Sequence, residues 1–65
     1  MPSNVRYAEI KRLLESKGWY LDRTSGTHHI FIKPGKRQIN IPVHDKQVKF
    51  VYVKKANKII EEEGG

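Results

Sequence analysis

Two adjacent imidazoles, His28 and His29, stand in the segment Gly26-Thr27-His28-His29-Ile30-Phe31, and a third, His44, follows in Ile41-Pro42-Val43-His44. Imidazole takes up and releases protons near neutral pH, so it serves as general base, general acid or both. RNA is a substrate that asks for little more than this. Its 2′-hydroxyl is a built-in nucleophile, so one group that removes that proton and one that protonates the departing 5′-oxygen suffice, each worth about 10²- to 10⁴-fold in rate. Nearby cations stabilise the charge that gathers on the phosphorane. Gly26 permits positive φ and a close approach of phosphate to the backbone, and the Thr27 hydroxyl can bond a phosphate or orient His28. Taken by themselves, the same residues also describe an ordinary hairpin turn with a structural histidine, and His44 suits a loop cap as well as a second acid or base.

Charge narrows the partners. Lys and Arg number 13 against 7 Asp and Glu, a net +6, and three of the acids are consecutive as Glu61, Glu62 and Glu63. A density of positive charge this high over 65 residues fits a polyanion and speeds encounter with it. The candidate phosphate contacts are Lys33, Lys36, Arg37, Lys46, Lys54, Lys55 and Lys58. The chain lacks cysteine, which excludes disulfides, zinc-thiolate sites and a thiol nucleophile. A metal site on the histidines is not expected, because neighbours on a strand point to opposite faces and His28 and His29 cannot easily share one ion. No cofactor is implied. No apolar run approaches a signal-peptide core or a membrane span, which reads as a cytoplasmic protein with no membrane partner.

The elements that must hold these groups are few. A chain this short is one domain, 1–65, with room for a thin core between a sheet and a layer of helix, and with an acidic and glycine tail, 61–65, expected to fray. Any site should lie on an open surface, which suits a polymer better than a small metabolite. Ser3 is the expected N-cap of a first helix carrying Tyr7, Ile10, Leu13 and Leu14 at helical spacing, stopped by Gly18. A strand over 19–23 alternates Trp19 and Leu21 against Tyr20 and Asp22, followed by a turn at Thr24-Ser25-Gly26. A second strand covers 28–33 and ends at Pro34-Gly35, and a third covers 37–41 with Ile39 and Ile41 on one face and Gln38 and Asn40 on the other. Val53, Ala56 and Ile60 mark a second helix with Lys54, Lys55 and Lys58 outward, while the β-rich stretch 48–53 leaves room for a short fourth strand or an irregular start. Tyr20 and Tyr52 can stack on bases, although packing is the better expectation for each.

The resulting fold class is α+β in the order α-β-β-β-α, a three-stranded antiparallel sheet with both helices on one face, as in double-stranded-RNA-binding domains. Period alone does not say which imidazole of the second strand meets solvent, since His28 shares a face with Ile30 and Ile32, and His29 with Phe31.

A helix followed by Gly18-Trp19, then Gly26-Thr27-His28-His29-Ile30-Phe31, Pro34 and Ile41-Pro42-Val43-His44, resembles the HicA toxins, or YcfA-like family, over about residues 5–49. The resemblance implies an mRNA interferase, the endoribonuclease toxin of a type II toxin-antitoxin pair, with a double-stranded-RNA-binding-like fold and a HicB-type antitoxin as partner. In that family the catalytic histidine precedes the strand aromatic by three positions, and counting back from Phe31 selects His28. The resemblance also implies that Phe31 and His29 face the core, leaving Ile30 and Ile32 on the outer face. The chain departs from the family pattern with Thr27 for serine, Lys33-Pro34 for His-Pro, and Val51-Tyr52-Val53 where Gly-Thr and an apolar residue commonly open helix two.

Three function classes follow. The first is a metal-independent endoribonuclease acting on mRNA through His28. The second is an RNA-binding module of the same fold without catalysis. The third is an interaction domain whose outer face, with Ile30 and Ile32, docks to an antitoxin or to a second copy in a homodimer.

Overall fold

The computed structural model describes residues 4–64. In chain order the elements are β1 (Asn4–Arg6), α1 (Tyr7–Ser16), β2 (Tyr20–Ser25), β3 (His28–Ile32), β4 (Ile39–Pro42), β5 (Gln47–Lys49) and α2 (Phe50–Glu62). Strands β2, β3 and β4 form the antiparallel three-stranded sheet with β3 in the centre. Ile10 and Leu14 of α1 join Val53, Ala56 and Ile60 of α2 in one cluster with Phe31, Ile39 and Ile41, so both helices cover the same face of that sheet. This is the expected α+β arrangement. No helix among the described residues is long and apolar enough to cross a membrane.

The first helix ends as its sequence suggests. Gly18 takes φ +91°, its N–H donates to the Glu15 carbonyl at 3.1 Å, and the Trp19 N–H donates to the Leu14 carbonyl at 2.9 Å. That is a Schellman closure, and it brings buried Trp19 onto buried Leu14 in the core. The helix start differs from expectation. Ser3 lies outside the described residues, and α1 begins only at Tyr7, behind an extended Arg6 with no side-chain cap. The Tyr7 N–H donates instead to the Lys46 carbonyl at 2.8 Å, so a backbone acceptor from a distant turn replaces a capping hydroxyl.

That turn belongs to a second, two-stranded sheet in which β1 pairs antiparallel with β5. Val5 lies opposite fully buried Val48, and the Asn4 amide donates to the Gln47 side-chain oxygen at 2.9 Å. His44 and Gln47 exchange backbone hydrogen bonds of 2.9 and 2.8 Å around Asp45 and Lys46, whose φ values of 51° and 61° make a two-residue type I′ hairpin turn. The β-rich stretch therefore resolves into a strand at 47–49 and helix from Phe50 onward. Aromatic and β-branched residues are mediocre helix formers, and α2 is held by the burial of Val53, Ala56 and Ile60.

Strand boundaries also move. Thr24 and Ser25 belong to β2, and the turn is Gly26-Thr27. Pro34 and Gly35, with φ +77° at Gly35 and the Lys36 N–H donating to the Lys33 carbonyl at 2.9 Å, form a type II turn. The Arg37 N–H donates to the Glu63 carboxylate at 3.0 Å rather than to a strand, so β4 starts at Ile39 instead of residue 37. The acids at 61 and 62 form the last turn of α2.

The faces of β3 divide as the resemblance implies for its aromatic, with Phe31 fully buried, but Ile30 is only 5% exposed. It stands outside the core cluster, flanked across the sheet by Arg23 and Asn40, so the outer face offers less apolar surface than expected. Tyr20, for which packing was expected, is exposed instead.

Tyr7 bears on stability at high pH. Its hydroxyl is buried without a partner in the protein, and burial, with the Glu15 charge adding, raises its pKa. A phenol favoured in its neutral form by the fold contributes stability that is fully present below the unfolded value of about 10 and is lost as pH rises through the folded value. Tyr7→Phe should leave stability at neutral pH unchanged or increase it by about 1 kcal/mol. Urea denaturation across the alkaline range should show the native chain, and not the variant, carrying this extra loss.

Candidate active site

His28 is presented by a tight turn. Ser25 pairs with His28, and of the two residues between them Gly26 alone has positive φ, +59°, the pattern of a type II′ hairpin. The Thr27 carbonyl accepts the Val43 N–H at 2.8 Å, tying the turn to the end of β4. Gly26 and Thr27 thus set where β3 begins, and with it which way each imidazole points.

The two histidines part company at once. His28 is exposed on the outer face, and its Nδ1 lies 2.9 Å from the Asn40 side-chain oxygen. His29 turns inward and is half-buried, its ring centroid 4.6 Å from that of Tyr7 at an interplanar angle of 55°. Its Nδ1 lies 3.3 Å from the Thr27 carbonyl oxygen. Of these two, His28 is the one on the exposed outer face.

A groove of about 320 Å³ opens beside His28 between the edge strand β4 and α2, with Gln38, Asn40, Pro42, Tyr52 and Lys55 in its walls and Ile39, Ala56 and Ile59 beneath. A second groove of about 350 Å³ adjoins it, sharing Pro42 and Tyr52 and holding His44 with Asn4, Gln47 and Lys49. His28 and His44 therefore flank one wall rather than sharing one groove. Tyr52 both packs against the core and lines the two grooves, and the Lys55 ammonium sits 5.5 Å from its ring centroid, a cation–π distance.

The cations divide by position. Lys54, Lys55 and Lys58 line the exposed side of α2 together with Val51, Asn57 and Glu61, and Lys55 carries that stripe to the wall of the His28 groove. The others serve different places. Lys33 donates to the Lys17 carbonyl at 2.8 Å, capping the end of α1, and five strand steps put it about 17 Å along β3 from His28. Arg37 pairs with Glu62, and with Glu63 at 3.4 Å, which locks the turn after β3 to the last turn of α2. Lys36 shares that turn, and Lys46 occupies the I′ turn beside Arg6 and Tyr7. Among the described residues no group of three His, Asp or Glu is gathered as a metal site requires.

The model of a family described as "HicA toxin of bacterial toxin-antitoxin" matches residues 7–61, from the first residue of α1 to the last turn of α2. The chain belongs to the HicA toxin family. It is therefore the toxin of a toxin-antitoxin pair, with an antitoxin as its partner. Neither the curated proteins nor the solved structures provided a match.

Asn40 and Gln38 were not among the site residues expected from sequence, yet both line the groove, together with Tyr52, for which base stacking and packing had both been considered. For Asn40 the signal was in the pattern. A polar residue between Ile39 and Ile41 on an edge strand had to face the side opposite the core.

Proposed function

We propose that this HicA toxin is an endoribonuclease that cleaves mRNA without a metal ion, using His28 as its general acid-base group. The carrying observation is an exposed imidazole, hydrogen-bonded on one nitrogen and open on the other, beside a groove whose far wall leads into a stripe of lysines. The family membership and the helix-sheet order shared with double-stranded-RNA-binding domains support RNA as the polymer.

The reaction balances with few parts. His28 takes the proton of the 2′-hydroxyl, O2′ forms a bond to phosphorus, the bond from phosphorus to O5′ breaks, and O5′ gains a proton. The products are a 2′,3′-cyclic phosphate and a 5′-hydroxyl. The candidate acid for O5′ is His44 in the adjoining groove. Lys55 stabilises charge at the phosphorane, and Lys54 and Lys58 hold the flanking backbone. A HicB-type antitoxin silences the site by covering the groove. Acting on mRNA places the toxin in the cytoplasm.

The direct test incubates synthetic RNA with the purified toxin in excess EDTA. Cyclic-phosphate and 5′-hydroxyl ends are the expected products. RNA that is bound but uncut would replace the nuclease with a binding module, and cutting only on return of a divalent ion would replace the metal-free route.

The lysine stripe has its own signature. Changing Lys54, Lys55 and Lys58 together to alanine should weaken RNA binding and flatten the plot of log affinity against log salt by about 0.7 per lost phosphate contact, about 2 in all. Alanine favours helix, so α2 should persist. An unchanged salt slope would remove the stripe from the interface.

A further inference from the structure

We infer that Asn40 is a positioning residue that holds His28 as the Nδ1–H tautomer, so that Nε2 is the nitrogen that exchanges protons with RNA. This rests on the reading of His28 as the acid-base group. On the sheet, His28 lies opposite Pro42 and Ile30 opposite Asn40, so His28 and Asn40 are diagonal neighbours on the same outer face. Their side chains meet at 2.9 Å, Nδ1 to Oδ1. A carboxamide oxygen can only accept, so the proton of this bond is on Nδ1 and the lone pair of the neutral ring is on Nε2.

This assignment carries chemical weight because a free neutral histidine side chain prefers the opposite tautomer, with its proton on Nε2. In that form the outward nitrogen is a donor and cannot act as a base. Asn40 removes this unproductive state and also fixes the ring's rotation, as the orienting third group does for other nucleophile–base pairs. The bond persists when the ring is protonated, since Nδ1 donates in both states. Asn40 therefore serves His28 equally as base and as acid. Its neutrality matters too: a carboxylate at the same place would favour the imidazolium and raise the pKa of the base.

The anchoring is local. Asn40 is exposed on edge strand β4, while the neighbouring Ile39 and Ile41 are buried and fix the strand. Replacing its side chain therefore disturbs His28 without opening the core.

The experiment reads the tautomer and the activity separately. In toxin labelled with ¹⁵N, long-range imidazole correlations above the His28 pKa should show the Nδ1–H form in the native chain and a shift toward the Nε2–H form in Asn40→Ala. Cleavage by that variant should fall about 10- to 100-fold in kcat with KM unchanged. Asn40→Asp, which keeps the acceptor, should keep the Nδ1–H tautomer, recover part of the rate and move the acidic limb of the pH–rate profile to higher pH. An Nε2–H tautomer in the native chain, or one unaltered by Asn40→Ala, overturns the inference, as does a pH profile that ignores Asn40→Asp. The tautomer is read without any RNA present, so a chain that fails to cut RNA while His28 shows the Asn40-dependent tautomer would refute the nuclease reading alone.

Discussion

Changing His28 to alanine is expected to lower RNA cleavage by about 10²- to 10⁴-fold, the worth of one well-placed general acid-base group, while leaving the fold and the affinity for RNA close to native. The separation of these effects follows from position. His28 is exposed, and its side-chain hydrogen bond runs to Asn40, another exposed side chain. Surface substitutions of this kind shift stability by about 0.5 kcal/mol or less. In the proposed reading binding depends on the charged stripe of α2, which the substitution leaves in place. His29 supplies the control, because its ring packs on Tyr7. His29→Ala should therefore cost stability first, and lose activity only in proportion to the unfolded fraction. Cleavage rates, RNA affinity and a urea denaturation midpoint, measured for both variants, distinguish the two histidines. Cleavage by His28→Ala at the native rate would remove it from the chemistry.

Features set by neighbours in the chain were legible in the sequence. Gly18 after an apolar helical stripe foretold the end of α1, the glycine before Thr27 foretold a turn, and Val53, Ala56 and Ile60 foretold the buried side of α2. The choice between His28 and His29 needed more than periodicity, because both faces of β3 carry apolar residues. The spacing from Phe31 in the HicA resemblance favoured His28, and the structure puts that imidazole outside and Phe31 in the core.

Features set by distant partners were hidden. The strands β1 and β5 have three residues each, too short to show a period, and their turn uses Asp45-Lys46 in place of the Asn-Gly that usually announces type I′. Lys33 and Arg37 are read as phosphate contacts from charge, which is visible in a sequence, whereas their partners within the fold are not. Arg37 meets its acids more than twenty residues away, and Lys33 finds a helix end sixteen residues back. Asn40 could be assigned a face from its strand, but only the register of β3 against β4 brings it to His28.

The other large effect lies beneath the site. Phe31 is fully buried on the middle strand, and its ring centroid is 6.4 Å from that of Tyr7. Phe31→Ala should destabilise the domain by about 3–5 kcal/mol, through the lost burial of the ring and the cavity it leaves. A chain of this length has about 3–10 kcal/mol in total, so the variant should be largely unfolded or melt far below the native chain by circular dichroism. Its loss of cleavage would come with a parallel loss of RNA binding, because the strand that presents His28 and the floor beneath α2 disappear together. This differs from His28→Ala, in which binding should survive and chemistry should not. Three residues apart on one strand, the two substitutions separate what the outer face does from what the inner face supports. A native-like melting curve for Phe31→Ala would show that the sheet is held by something other than the core described above.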